Sequence, residues 1–201
     1  MIGHHESTST STGINRPGFT LPQQRLLDAP IPNFGRVVTG RLYRGAQPTR
    51  GDLAWLYQQG VRTVVVLRED QEERRYVQAD YLDDLAAHGL QAVVMTIKDG
   101  AIPSRAQVEA FIRLVDDPSR SAVYVHCAAG VGRTGVLVGL YLKWHGVPVV
   151  DILTTSRTFG LTPERRSDLS LQATFIATYP LALLKVDGPR GASQEVPLSL
   201  L

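Results

Sequence analysis

Residues 126–135 read His-Cys-Ala-Ala-Gly-Val-Gly-Arg-Thr-Gly and contain the only cysteine of the 201-residue chain, Cys127. Arg133 follows six positions later, with Gly130 and Gly132 between them and Thr134 directly after. The apolar run Ala122-Val123-Tyr124-Val125 leads in, and Val136-Leu137-Val138-Gly139-Leu140 leads out. A strand, a short glycine-bearing turn and a helix start make an anion cradle, because successive backbone N–H groups converge there and the helix dipole adds positive potential. A thiol at the floor of such a cradle loses its proton readily: free thiols of pKa about 8.5 fall to about 3.5–7.5 at helix N-termini or beside cations. The expected chemistry is attack of a thiolate on a phosphate. Taken alone, a cysteine at a strand end reads as buried and inert; Arg133 and the two glycines in register favour the nucleophile.

Each neighbour has a role to fill in that chemistry. Arg133 offers a planar fork that grips a phosphoryl group bidentately, which lysine cannot imitate. Backbone N–H groups of Ala128, Ala129, Gly130, Val131, Gly132 and Arg133 are expected to complete the oxygen cage, the glycines permitting the tight turn. Thr134 can donate a hydrogen bond to the Cys127 sulfur, or simply start the helix. His126 has two readings, an orienting residue that helps to ionise the thiol and a packed strand-end histidine. The spacing is not that of a nucleotide P-loop, whose G-x-x-x-x-G-K-[ST] lysine is absent.

The pattern His-Cys-x-x-Gly-x-x-Arg-Thr-Gly resembles the signature of cysteine-dependent protein phosphatases, the tyrosine and dual-specificity group. Arg41-Leu42-Tyr43-Arg44-Gly45-Ala46-Gln47-Pro48 and Gly60-Val61-Arg62-Thr63-Val64-Val65-Val66-Leu67-Arg68 resemble the opening of compact dual-specificity-like members, many of them bacterial. The likeness spans roughly residues 36–180. It implies a general acid upstream of the cysteine, and Asp99 fits. Asp99-Gly100-Ala101-Ile102-Pro103 is similar to the acid loop of dual-specificity phosphatases, although Ile97-Lys98 stands where larger tyrosine phosphatases have Trp-Pro. Asp99 would protonate the leaving oxygen and then deprotonate the attacking water, a contribution of about 10²- to 10⁴-fold. Asp116 and Asp117 fit less well, since they close a helix before Pro118.

The resemblance implies phosphotyrosine as substrate, with tolerance for phosphoserine and phosphothreonine in proteins or for small phosphomonoesters. Lipid phosphatases related to tensin place lysines in this loop, whereas Ala128, Ala129, Val131 and Gly132 carry no charge. An inositol-phosphate or phosphoinositide substrate is the alternative, served by Lys98, Arg68, Arg165 and Arg166 if they gather at the pocket. A phosphate-binding module without turnover is a third reading, but it has no use for a thiolate or an acid.

Composition narrows the setting. A formal net charge of +2 gives no reason to expect nucleic acid or an anionic membrane as partner. No stretch reaches the roughly 18–20 apolar residues of a membrane-spanning helix, so no membrane insertion is expected. The single cysteine excludes an intramolecular disulfide and any metal site built on several thiolates. No metal and no cofactor is called for. The polar Ser/Thr-rich start shows no secretory pattern, and a reducing, cytoplasmic location follows as the expectation. His4 and His5 in that stretch are read as solvated rather than as metal ligands.

The elements that must position this chemistry alternate between short apolar runs and amphipathic ones. That pattern predicts an α/β fold with a central, mostly parallel, four- to five-stranded sheet flanked by helices, like the dual-specificity phosphatases. Val61–Leu67, Leu90–Ile97 and Ala122–His126 are the expected strands, continuous in apolar residues as strands covered on both faces should be; Val37–Tyr43 is expected at an edge. Helices are expected after a Thr49/Asp52 cap, through Val77, Tyr81 and Leu85, after a Ser104/Gln107 capping box, directly after the cradle, and near 149–157 and 163–179. Residues 1–30 are expected to form a flexible polar tail, 31–185 the domain and 186–201 an irregular tail. In such a sheet the site belongs at the C-terminal strand ends, where both Cys127 and Asp99 fall.

Overall fold

Strand β6, Ala122–His126, is buried at all five positions and lies between two parallel neighbours. This computed structural model describes residues 23–72 and 78–186. Among them a six-stranded sheet has β1 (Gln24–Arg25), β2 (Gly35–Val38), β3 (Leu42–Gly45), β4 (Val61–Val66), β5 (Gln91–Val94) and β6 in the order β1-β2-β3-β6-β4-β5. β3, β6, β4 and β5 run parallel, while β1 and β2 add an antiparallel flank. The mostly parallel α/β sheet expected from the sequence is the one found, with one strand more. Gln24–Arg25 pairs with β2 inside the interval expected to be a tail. His4, His5, Val77 and residues 187–201 lie outside the described residues.

Helices α1 (Leu53–Gln58), α2 (Gln78–Ala87), α3 (Arg105–Asp116), α4 (Gly132–Trp144), α5 (Val149–Thr158) and α6 (Ser167–Thr178) cover the two faces. Alternation along the strands splits the core. Val65, Val123 and Val125 pack with α3, α4 and α6, whereas Val64, Val66 and Tyr124 pack with Leu53, Leu56, Tyr81 and Leu85 of α1 and α2. α4 is buried from Arg133 to Leu142, as its nearly all-round apolar sequence requires. No helix among the described residues is long and apolar enough to cross a membrane.

Two strand expectations are corrected. Val37–Tyr43 is not one edge strand: a turn closed by Arg41 N–H donating to Val38 O (3.0 Å), with Gly40 at φ +70°, splits it into β2 and β3. β3 is interior, flanked by β2 and β6. The strand expected over Leu90–Ile97 is regular only at Gln91–Val94 and forms the sheet edge, leaving Val94 44% exposed. Met95 and Ile97 still donate to Val66 O and Leu67 O, so the chain stays against β4 as it enters the Asp99 loop.

The helix starts follow their capping residues. Asp52 accepts from Thr49 N–H (2.8 Å) and from the Thr49 hydroxyl (2.6 Å) in a single 3₁₀ turn before α1. Ser104 and Gln107 form the reciprocal box ahead of α3. Gln107 Nε2 also donates to Thr96 O at 2.7 Å, which pins this helix start to the segment leading to Asp99. α6 begins at Ser167, later than the expected 163, because Thr162–Arg165 closes a turn first.

Candidate active site

The loops after β4, β5 and β6 deliver Glu72, Asp99 and Cys127 to one end of the sheet, where they line a cavity of about 340 Å³. Ala128, Ala129, Val131, Gly132 and Arg133 line it from the β6–α4 loop, and Thr162, Arg165, Arg166, Asp168 and Gln172 from the segment opposite. Cys127 is 4% exposed at its floor.

The loop between Cys127 and α4 is held by its carbonyls. Gln47 N–H donates to Ala128 O (3.0 Å), Asn33 Nδ2 to Ala129 O (2.9 Å) and Arg44 Nη2 to Gly130 O (2.8 Å). In a trans peptide unit the N–H points opposite to the C=O. Tying back these three carbonyls therefore turns the N–H groups of Ala129, Gly130 and Val131 the other way, and among the described residues none of the three has an acceptor. Gly130 makes this possible: its φ is +72°, and a Cβ there would overlap the Gly45 carbonyl. α4 starts at Gly132, and its first-turn amides add to the same positive end.

Arg133 is 2% exposed and reaches into the cavity fully engaged on its end. Nη1 donates to Glu72 Oε2 (2.5 Å) and Ile97 O (3.1 Å), Nη2 donates to Glu72 Oε1 (2.7 Å), and Asp99 Oδ1 lies 3.0 Å from Nη2. Burial works against the guanidinium charge, yet its pKa is raised, because the Glu72 hydrogen bonds and the nearby Cys127 and Asp99 outweigh burial. The same balance holds Glu72 below the usual carboxylate range, burial opposing and Arg133 prevailing. Arg133 Nε makes no hydrogen bond among the described residues, which leaves one edge of the fork for a ligand.

His126 is fully buried, with Nε2 2.9 Å from the Tyr81 hydroxyl and Nδ1 3.0 Å from Cys127 O. Burial lowers its pKa to about 4, so it is neutral near pH 7. A carbonyl partner requires the proton on Nδ1, and Nε2 then accepts from Tyr81. Thr134 is fully buried in the first turn of α4, and its hydroxyl has no partner among the described residues. The bond expected from Thr134 to the Cys127 sulfur is therefore not formed.

The basic residues divide. Arg165 and Arg166 do line the cavity, Arg166 paired with Asp168 at 2.8 Å. Lys98 is exposed and does not line it. Arg68 is turned inward, 5% exposed, bonded to Gln47 Oε1 (2.6 Å) and 3.3 Å from Glu72 Oε1. Asp116 accepts from Tyr141 and lies 3.0 Å from His145 at the far end of α4, away from the cavity.

Glu72, Arg44, Asn33 and Gln172 were not singled out for the site from the sequence. Gln172 Nε2 donates to Ala101 O (3.0 Å), while its Oε1 is buried without a partner beside Gly132. Arg44 had a usable signal, a cation set between apolar residues in a short strand. Glu72 had only its place in a loop after a parallel strand.

A mostly parallel sheet whose central strand runs through Cys-x5-Arg into a buried helix is the fold of the dual-specificity-type phosphatases. A family model described as DSP-PTPase phosphatase fused to NAD+ kinase matches residues 29–162, and the chain belongs to that family. It is 30% identical over 114 residues to NAD kinase 2, chloroplastic, of Arabidopsis thaliana, covering 57% of this chain but only 12% of that protein. It is 35% identical over 75 residues to tyrosine-protein phosphatase cdcA of Emericella nidulans, 35% of this chain and 13% of that one. The core catalytic domain of the PP-IP phosphatase SIW14 from S. cerevisiae shares the fold, with a TM-score of 0.63 and 22% identity over 76% of this chain and 88% of that chain.

Proposed function

We propose that the chain is a cysteine-dependent phosphomonoesterase that hydrolyses phosphotyrosine, with tolerance for phosphoserine and phosphothreonine, through a cysteinyl-phosphate. The observation that carries this reading is the tied-back loop: its three carbonyls are held from behind, its N–H groups are turned the other way without acceptors among the described residues, and Cys127 and Arg133 with an open Nε line the same cavity. Donors fixed where charge develops need no reorganisation during reaction.

In the first step the Cys127 thiolate attacks phosphorus, the bond to the leaving oxygen breaks, and Asp99 gives that oxygen its proton. In the second, water attacks phosphorus, the Asp99 carboxylate takes the water proton, and the P–S bond breaks to return the thiolate and release inorganic phosphate. Loop amides of Ala128 to Arg133 and the Arg133 fork hold the three non-bridging oxygens throughout. His126 holds Cys127 through its carbonyl as a neutral imidazole, and Thr134 has an unspent hydroxyl beneath the loop. No step draws on a metal or cofactor. A lone thiol nucleophile is best served by a reducing compartment, in keeping with a cytoplasmic location.

An inositol-phosphate substrate is the second reading, favoured by Arg165 and Arg166 on the cavity wall opposite the loop. The deciding experiment is para-nitrophenyl phosphate hydrolysis by the wild type and Cys127→Ser in excess chelator, followed by phosphopeptides against inositol phosphates ranked by kcat/KM. Chelator-resistant turnover that vanishes in the variant is expected. Turnover surviving in Cys127→Ser would overturn the mechanism, and an inositol phosphate leading the ranking would overturn the protein substrate.

A further inference from the structure

The backbone that carries Asp99 is held by side chains on both sides. Upstream, Gln107 Nε2 donates to Thr96 O (2.7 Å) and Arg133 Nη1 to Ile97 O (3.1 Å). Downstream, Gln172 Nε2 on α6 donates to Ala101 O (3.0 Å). Between these holds the Ala101 N–H donates to Lys98 O (3.0 Å), closing the turn Lys98-Asp99-Gly100-Ala101 with Gly100 at φ +74°. A Cβ on Gly100 would stand 3.4 Å from Asp168 Cβ, so the turn lies against the start of α6.

Gln172 is 1% exposed, and its amide is wedged between this turn and the loop after Cys127. A Cβ on Gly132 would stand 2.5 Å from its Oε1 and 3.2 Å from its Nε2, so a glycine at that position is what admits the amide. Ala101 fixes the direction of the amide, because turning it over would set Oε1 against a carbonyl oxygen. Oε1 is then buried without a donor among the described residues. A buried acceptor left unmet is unfavourable, and an apolar side chain of the same length would fill the space without one. The use of this amide lies in its bond to Ala101.

We propose that Gln172 is a positioning residue for the acid: its amide ties the far end of the Asp99 turn to α6, so that the acid's backbone is in place before substrate binds and only the Asp99 side chain has to move. The inference rests on the reading of Asp99 as general acid. It gives α6 a part in the leaving-group step, through a backbone carbonyl just beyond the acid.

Gln172→Met keeps the length of the side chain and removes the donor. In kcat/KM, which reports the steps through P–O cleavage, the whole chain is expected to lose about tenfold on phenyl phosphate and much less on para-nitrophenyl phosphate. On an Asp99→Ala background the same change is expected to add nothing with phenyl phosphate, since both residues act on one step. Equal losses on the two esters, additive losses on the Asp99→Ala background, or a fall in kcat with kcat/KM unmoved would each overturn the proposal. If Gln172→Met does not fold, Gln172→Asn decides, since it keeps the amide but is one carbon too short for Ala101 O. Hydrogen exchange at the Ala101 N–H reads the turn without any activity, and is expected to quicken in either variant. Quickened exchange in a protein without phosphatase activity would sink the proposed function and leave the tether standing; unmoved exchange with equal ester losses in an active enzyme would sink this inference alone.

Discussion

Asp99 Oδ1 lies 3.0 Å from Arg133 Nη2, so the proposed acid rests on the proposed phosphate clamp. Glu72 and Ile97 O hold the end of the fork, which leaves Nε and the Asp99-facing edge of Nη2 for the incoming oxygens. The Asp99 side chain is 66% exposed and little restrains it. Phosphate binding would displace the carboxylate from the arginine and free it for the leaving group.

Asp99→Ala therefore has two expected signatures. Turnover of an ester with a poor leaving group, such as phenyl phosphate, falls about 10²- to 10⁴-fold, and para-nitrophenyl phosphate falls much less. Binding of inorganic phosphate tightens or stays unchanged, since a competitor for Nη2 is gone. Equal kinetic losses on both esters, measured by steady-state kcat, would reassign the acid.

Glu72→Gln keeps the size of the side chain but removes the charge that aligns Arg133. The expected loss in kcat/KM is about 10- to 100-fold, the scale of a small misplacement of a positioning group. Arg133→Lys should be worse than Glu72→Gln, because no rotation of an ammonium restores a two-toothed grip. Steady-state kinetics on one aryl phosphate compares the two.

His126 supplies a pH dependence of stability whose sign is fixed by its burial. Its folded pKa of about 4 lies below the ordinary 6.5, so the unfolded chain binds the extra proton between those values. Stability is expected to fall as pH drops from about 6.5 towards 4, by roughly 3 kcal/mol from this residue. Urea midpoints across that range, with the Nδ1-protonated neutral ring still visible by NMR at pH 5, would bear this out. An imidazolium at pH 6 would contradict it.

Gly130→Ala combines a left-handed backbone with a Cβ driven into the Gly45 carbonyl. A cost of about 2–4 kcal/mol is expected, together with loss of phosphate binding, read by urea unfolding and by titration with inorganic phosphate. Wild-type stability in this variant would mean that the loop does not need its tight approach to β3.

The parts of the site that sequence made legible are those encoded in one local run. Cys127, Arg133 and the glycines state a strand, a turn and a helix start within ten residues, and the caps at Thr49 and Ser104 are equally local. The turn at Gly40 was hidden because Val37–Tyr43 is apolar enough to pass for one strand. Glu72 and Arg44 could not be read because their roles depend on which strands lie side by side. Glu72 meets Arg133 across 61 positions, and Arg44 meets Gly130 across 86. The order β3-β6-β4 creates both encounters.

Asn33, Arg44 and Gln47, which hold the three loop carbonyls, all come from the stretch around β2 and β3. A fragment starting at β4 would keep Cys127, Arg133 and Asp99 and still have no shaped receptacle for an anion. Productive assembly must wait until the β2–β3 flank has docked on β6 through β3, so damage or trimming near residues 33–47 would silence the site from a distance. Supplying that flank as a separate peptide should restore what the trimming removed.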